Sequence, residues 1–91
     1  MTYTVEQTGQ FKRQYKLMQK RGADMSLLNG VVKLLSSGQP LPPKNRDHAL
    51  AGNLAGQREC HIAPDWLLVY RIHNDSLILE LLRTGTHSDL F

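Results

Sequence analysis

Apolar positions recur along this chain with two different spacings, and the change from one to the other divides it. Phe11, Tyr15 and Met18, then Leu28, Val31, Val32 and Leu35, fall three or four residues apart, which lines one face of an α-helix. The first helix is predicted from residue 8 or 9 to 21, with Thr8 as N-cap and Gly22 ending it; the second runs from Asp24 to about Ser37, with Gly38 just beyond. Gly30 lies inside the second helix and should weaken it by roughly 1 kcal/mol relative to Ala unless close packing requires its small size. After residue 58 the pattern becomes short apolar runs, predicting three antiparallel strands at 58–62, 67–72 and 77–84. Ala63-Pro64-Asp65 and His73-Asn74-Asp75 provide the turns. Residues 3–5, aromatic and β-branched, can add one strand to a sheet formed elsewhere.

Tight turns would place His61 opposite Leu68 and Leu81, with Trp66 beside Arg83. One sheet face would then carry Glu59, His61, Trp66, Tyr70 and Arg83, near the exit through Thr86 and His87. The face covered by the helices would carry Cys60, Ile62, Leu67, Val69, Ile78 and Leu82. Between helices and strands lies 39–57, with Pro40, Pro42, Pro43, Gly52 and Gly56 and no period, expected as a long loop. The fold class expected is α+β: an N-terminal short strand, then a two-helix hairpin packed on a small antiparallel sheet.

The length, 91 residues, allows one core and one domain spanning 1–91. No apolar run approaches the length of a membrane-spanning helix, no secretory leader pattern opens the chain, and the one cysteine, Cys60, has no partner for an intramolecular disulfide. A cytoplasmic protein is expected, and Cys60, inside a predicted strand, reads as a small core residue. The net charge is +3, a tilt towards acidic partners. Five of the 11 Lys and Arg residues, Lys12, Arg13, Lys16, Lys20 and Arg21, fall in the first helix. They read either as a solvated face or as a stripe that follows a phosphate backbone.

His48, His61 and His87, with Asp65 and Arg83, form the candidate chemistry. Cleaving RNA without a metal takes a base for the ribose 2′-hydroxyl, a cation for the phosphorane and an acid for the departing 5′-oxygen. Histidine can be either base or acid at neutral pH, and an Arg fork can hold two phosphate oxygens. Trp66, Tyr70 and Phe91 offer stacking surfaces for bases, although a Trp in a strand can equally be a core anchor; Lys44 and Arg46 add cations beside His48. Zinc is the rival chemistry, but no His pair has H-E-x-x-H spacing and Cys60 has no C-x-x-C partner. Neither a metal nor a cofactor is expected.

Three stretches, D-H-A-L-x-G at 47–52, R-E-C-H-I-x-P-D-W-L-L-V-Y at 58–70 and R-T-G-T-H-S-D-L-F at 83–91, resemble the YafQ branch of the RelE/ParE toxin superfamily. The likeness covers the whole chain, with no departure at the motif positions. It implies a RelE-like microbial ribonuclease fold and a bacterial type II toxin that cuts messenger RNA in the ribosomal A site. It also implies a cognate, DinJ-like antitoxin that holds the toxin inactive, with the free toxin a monomer. The family's active-site histidines fall on His48, His61 and His87, its acidic residue on Asp65, its tryptophan on Trp66, its arginine on Arg83 and its terminal aromatic on Phe91. On this resemblance His87 is the general acid, Arg83 stabilises the phosphorane, Asp65 or His61 is the base, and His48 and Phe91 position the substrate. Two alternatives share the scaffold: a ParE-like gyrase inhibitor, which would not need the histidines, and a non-catalytic RNA-binding module.

Overall fold

A computed structural model describes residues 2–91. The elements are β1 (Thr4–Gln7), α1 (Gly9–Lys20), α2 (Met25–Ser36), β2 (His48–Ala49), β3 (Arg58–Ala63), β4 (Trp66–His73), β5 (Ile78–Gly85) and α3 (His87–Leu90), with 3₁₀ turns at Pro43–Asn45 and Gly52–Leu54. Both long helices begin where the sequence provides caps. The Thr8 hydroxyl accepts from the Phe11 amide, and the Asp24 carboxylate accepts from the Ser26 amide. Gly22 and Gly38, at φ +83° and +75°, take the left-handed turns that follow them.

The strands form one sheet in the order β1-β5-β4-β3-β2. Its pairs are antiparallel except β1 and β5, which run parallel, so the sheet is mixed rather than wholly antiparallel. α1 and α2 cover one face. There Phe11, Met18, Leu28, Val31 and Leu35 pack on Cys60, Ile62, Trp66, Leu68, Tyr70, Leu79 and Leu81. A smaller cluster on the opposite face joins Leu67, Val69 and Leu90, with Leu50 and Leu82 against it.

The register differs from that of plain tight hairpins in two places. Ala63 pairs with Trp66 as a two-residue turn requires, but a bulge at Ile62 then sets His61 opposite Leu67 and Cys60 opposite Leu68. Asn45, itself buried, donates from Nδ2 to the His61 carbonyl at 2.7 Å. Between β4 and β5 the connection has four residues, 74–77, with Leu77 at φ +54°, and a second irregularity puts Val69 opposite Arg83 but Tyr70 opposite Leu81. Each extra residue exchanges the faces of the positions beyond it. Hence Trp66 and Tyr70 belong to the helix side while Leu67, Val69 and Leu82 belong to the other, the reverse of the expected assignment; Cys60 and Ile62 lie on the covered face as expected.

The 39–57 segment is not structureless. It contributes edge strand β2, paired through His48 to Glu59, and is pinned by Asp47. The Asp47 carboxylate accepts from Arg58 Nη2 at 3.1 Å, from Arg58 Nε at 3.4 Å and from the hydroxyl of the fully buried Tyr70. Leu50 closes over the face away from the helices.

Candidate functional site

The face opposite the helices gathers side chains from five places in the chain. β3 presents Glu59 and His61, β5 presents Arg83, β2 brings His48, the β3–β4 turn brings Asp65, and α3 brings His87 with Phe91 behind it. α3 is short, but its start is built. The Thr86 hydroxyl accepts from the Asp89 amide at 3.2 Å while the Asp89 carboxylate accepts from the Thr86 amide at 2.9 Å, a reciprocal capping box. Arg21, at the end of α1, then clamps that carboxylate with bonds of 2.7 and 3.2 Å, and Leu90 plugs the Leu67–Val69 cluster. Gly85 permits the close turn: a Cβ there would lie 2.9 Å from the Asp89 Cβ.

His87 is held by its neighbour across the turn. Asp65 Oδ1 accepts from the His87 backbone amide at 3.1 Å and lies 2.7 Å from the ring Nδ1. A carboxylate only accepts, so Nδ1 carries hydrogen and Nε2 is left for chemistry. These bonds from His87 hold the Asp65 carboxyl below its ordinary range. The His61 ring stands 5.8 Å from the His87 ring, tilted by 55°. His48 forms a second pair: its Nδ1 meets the Arg46 carbonyl at 2.8 Å and its Nε2 lies 3.6 Å from Glu59 Oε1. Among these three histidines only His61 has no carboxylate within ion-pair distance.

Arg83 Nη1 donates to the Leu90 carbonyl at 3.3 Å, and its guanidinium lies 5.6 Å from the centre of the Phe91 ring. Phe91 is 66 % exposed and available for stacking. Lys44 and Arg46 line a cavity of about 360 Å³ beside His61, with Asn45, Ala63 and Pro64. Thus His48, His61, Asp65, Arg83, His87 and Phe91 converge, and Lys44 and Arg46 flank them.

Trp66 does not join them. Only 5 % of it is exposed, and its indole N–H donates to Thr84 Oγ1 at 2.9 Å, which in turn donates to the Leu67 carbonyl at 2.7 Å. It is a core anchor with its one donor spent internally, so it offers no stacking surface for a base. Tyr70 is likewise core. Cys60 is fully buried, and burial pushes its thiol up to about 12, which removes it as a nucleophile. Among the described residues, no group of three or more His, Cys, Asp and Glu side chains is arranged to hold a metal ion.

Sequence reasoning assigned no role to Glu59, Asn45 or the Arg21–Asp89 clamp. Thr-His-Ser-Asp at 86–89 was the readable signal for the last, since a hydroxyl followed three residues later by a carboxylate marks a helix start. The other two depend on contacts across 11 and 16 residues, between a loop and β3, that no local spacing encodes.

The model of the family described as "Bacterial toxin of type II toxin-antitoxin system, YafQ" matches residues 3–91. The chain is 42 % identical over 88 residues to the mRNA interferase toxin YafQ of Escherichia coli K12, covering 96 % of this chain and 94 % of that one. Among solved structures it is similar to the toxin in the E. coli DinJ-YafQ toxin-antitoxin complex, with a TM-score of 0.91 at 39 % identity, covering 100 % of this chain and 99 % of that one. It is also similar to a metal-bound toxin from Helicobacter pylori, with a TM-score of 0.93 at 46 % identity over 99 % of this chain and 100 % of that one.

Proposed function

Because this chain belongs to the YafQ family of bacterial type II toxins, we propose that it is an mRNA interferase that cuts message in the ribosomal A site by acid-base catalysis without a metal. The observation that carries the reading is the convergence of His61, the His87–Asp65 pair, His48 and Arg83 on one sheet face, since these supply every proton and charge the reaction needs. A base takes the proton of a ribose 2′-hydroxyl, whose oxygen attacks the adjacent phosphorus. The bond to the 5′-oxygen then breaks as an acid protonates that oxygen, leaving a 2′,3′-cyclic phosphate and a 5′-hydroxyl.

His87 is the acid. Its Nδ1–H is engaged by Asp65, the carboxylate balances the charge of an imidazolium, and Nε2 delivers the proton. Asp65 is a poor base because the same bonds hold its carboxyl below the ordinary range, so the base role falls to His61, which no carboxylate engages. His48, oriented by Arg46 and Glu59, and Arg83 stabilise the phosphorane charge. Phe91 stacks a base, and Lys44 and Arg46 hold the message backbone. The E. coli relative's complex with DinJ supports a cognate, DinJ-like antitoxin as the partner of this chain, and the exposed Lys12, Arg13, Lys16 and Lys20 of α1 suit an acidic segment or ribosomal RNA.

Primer extension on a defined message in a purified translation system tests this. Cuts should require both ribosomes and His87, with His87→Ala lowering the rate roughly 10²- to 10⁴-fold. Protein stripped of transition metals by a chelator should cut as well as before. Full cutting by a folded His87→Ala protein would overturn the acid assignment, and loss of cutting after chelation would overturn the metal-free mechanism.

A further inference from the structure

The proposed acid rides on α3, which at four residues, His87–Leu90, is far too short to hold its own shape. The ion pair that His87 itself makes is a weak anchor. Its two side chains, His87 and Asp65, are 54 % and 68 % exposed, and a pair so open to water contributes little. The firmer hold lies behind the helix. His87 and Asp89 are two residues apart, so their side chains leave α3 about 200° apart, the one towards Asp65 and the other towards the end of α1. There the Asp89 carboxylate accepts three bonds: from Arg21 Nη1 at 2.7 Å, from Arg21 Nη2 at 3.2 Å and from the Thr86 amide at 2.9 Å. It is also seated on β5, since a Cβ on Gly85 would lie 2.9 Å from its Oδ2. Arg21 is steadied in turn, with Nη1 3.6 Å from Sδ of Met18, a residue of the main core.

Resting on the proposed role of His87 in cleavage, we infer that Arg21 is a positioning residue for the acid: from the end of α1 it sets where α3 sits and so where His87 Nε2 points. The other holds on α3 do not give this direction. The capping box ties Thr86 to Asp89 within the turn itself, and the burial of Leu90 is non-directional. A two-pronged guanidinium bond fixes distance and orientation together, which a lysine ammonium does not. General acid catalysis needs such a fix, because the productive geometry tolerates only about 0.5 Å. The helix layer thereby controls a group on the opposite face of the sheet.

Single-turnover cutting over a range of ribosome concentrations separates this role from simple RNA binding by one more cation of α1. Arg21→Gln should lower the maximal rate about tenfold, within the roughly hundredfold that a misplacement of about 1 Å can cost, and leave the half-saturating ribosome concentration unchanged. Asp89→Asn, which keeps an acceptor for the Thr86 amide but loses the charge, should do the same. Because the two residues act as one unit, the double variant should lose no more than either alone, and Arg21→Lys should recover only part of the rate. Additive losses, or a change confined to the half-saturating concentration, would make Arg21 an RNA contact and overturn the positioning role. A rate that falls only in step with the urea midpoint would overturn it as well. A second readout does not depend on cleavage. The amides of Leu90 and Phe91, bonded to the Thr86 and His87 carbonyls, should exchange faster with solvent in Arg21→Gln, read by NMR, while amides of the central strands keep their protection. Unchanged exchange at α3 would defeat the inference. A wild type that cuts nothing would sink the cleavage reading instead, and the exchange rates would then decide by themselves whether Arg21 holds α3.

Discussion

Asp89 shows how one carboxylate can organise one end of the candidate site. It closes the capping box of α3 and receives the Arg21 fork, which holds its carboxyl well below the ordinary value of 3.8. A carboxyl depressed in the folded state binds fewer protons there than in the unfolded chain. The stability it contributes is therefore present above pH 3.8 and is lost as pH falls towards the folded value. Wild type should lose stability through this acid range, and Asp89→Asn should show a shallower loss, read from urea midpoints at a series of pH values. Parallel curves would mean that this solvent-exposed pair contributes nothing to the fold. Asp65, depressed by His87, titrates in the same direction, so its variant must be measured beside that of Asp89.

At the scale of elements, the fates of Trp66 and Gly30 follow from their surroundings. Trp66 is buried in the core beneath the helices, with its indole N–H bound to Thr84. Trp66→Phe keeps most of the ring and leaves the Thr84 hydroxyl bonded to Leu67, so it should cost about 1–3 kcal/mol. Trp66→Ala should cost about 3–5 kcal/mol. Both losses should appear in thermal unfolding and leave the pattern of RNA cut sites alone; a shift in cut sites at normal stability would return Trp66 to the substrate face. Gly30 is exposed on α2, and a Cβ there would meet nothing within 4 Å. Close packing therefore does not require it, and Gly30→Ala should stabilise the protein by about 0.5–1 kcal/mol, seen as a higher urea midpoint.

For the whole molecule, the arrangement separates two surfaces. The histidine face lies on one side of the sheet, while α1 presents Lys12, Arg13, Lys16 and Lys20 from the helix layer on the other. Arg21 is not part of this free charge, because Asp89 engages it. Reversing charge with Lys16→Glu and Lys20→Glu should weaken binding to ribosomes and make what remains less dependent on salt, since fewer phosphate contacts release fewer counterions. Antitoxin affinity, measured by calorimetry, should change little. Equal losses on both partners would make α1 a shared surface.

The sequence by itself determined the two capped helices, the three long strands and the residue types of the site, because helical spacing, cap residues and turn residues act over a few neighbours. His48, His61, Asp65, Arg83, His87 and Phe91 were all legible as chemistry before their positions were known. Only the tertiary structure decided which side of the sheet each strand residue faces. Bulges at Ile62 in β3 and at Leu82 in β5, opposite Val69 and Tyr70, each add one residue, and with a side-chain period of two a single residue exchanges the faces. That is why Trp66 and Tyr70 lie in the core while Val69 lies beneath the site. The structure also decided what the 39–57 segment does, because its anchors, Asp47 to Arg58 and Tyr70 and Asn45 to His61, are bonds to distant residues. A contact of that kind has no local spacing to betray it, and it exists only once the sheet has formed.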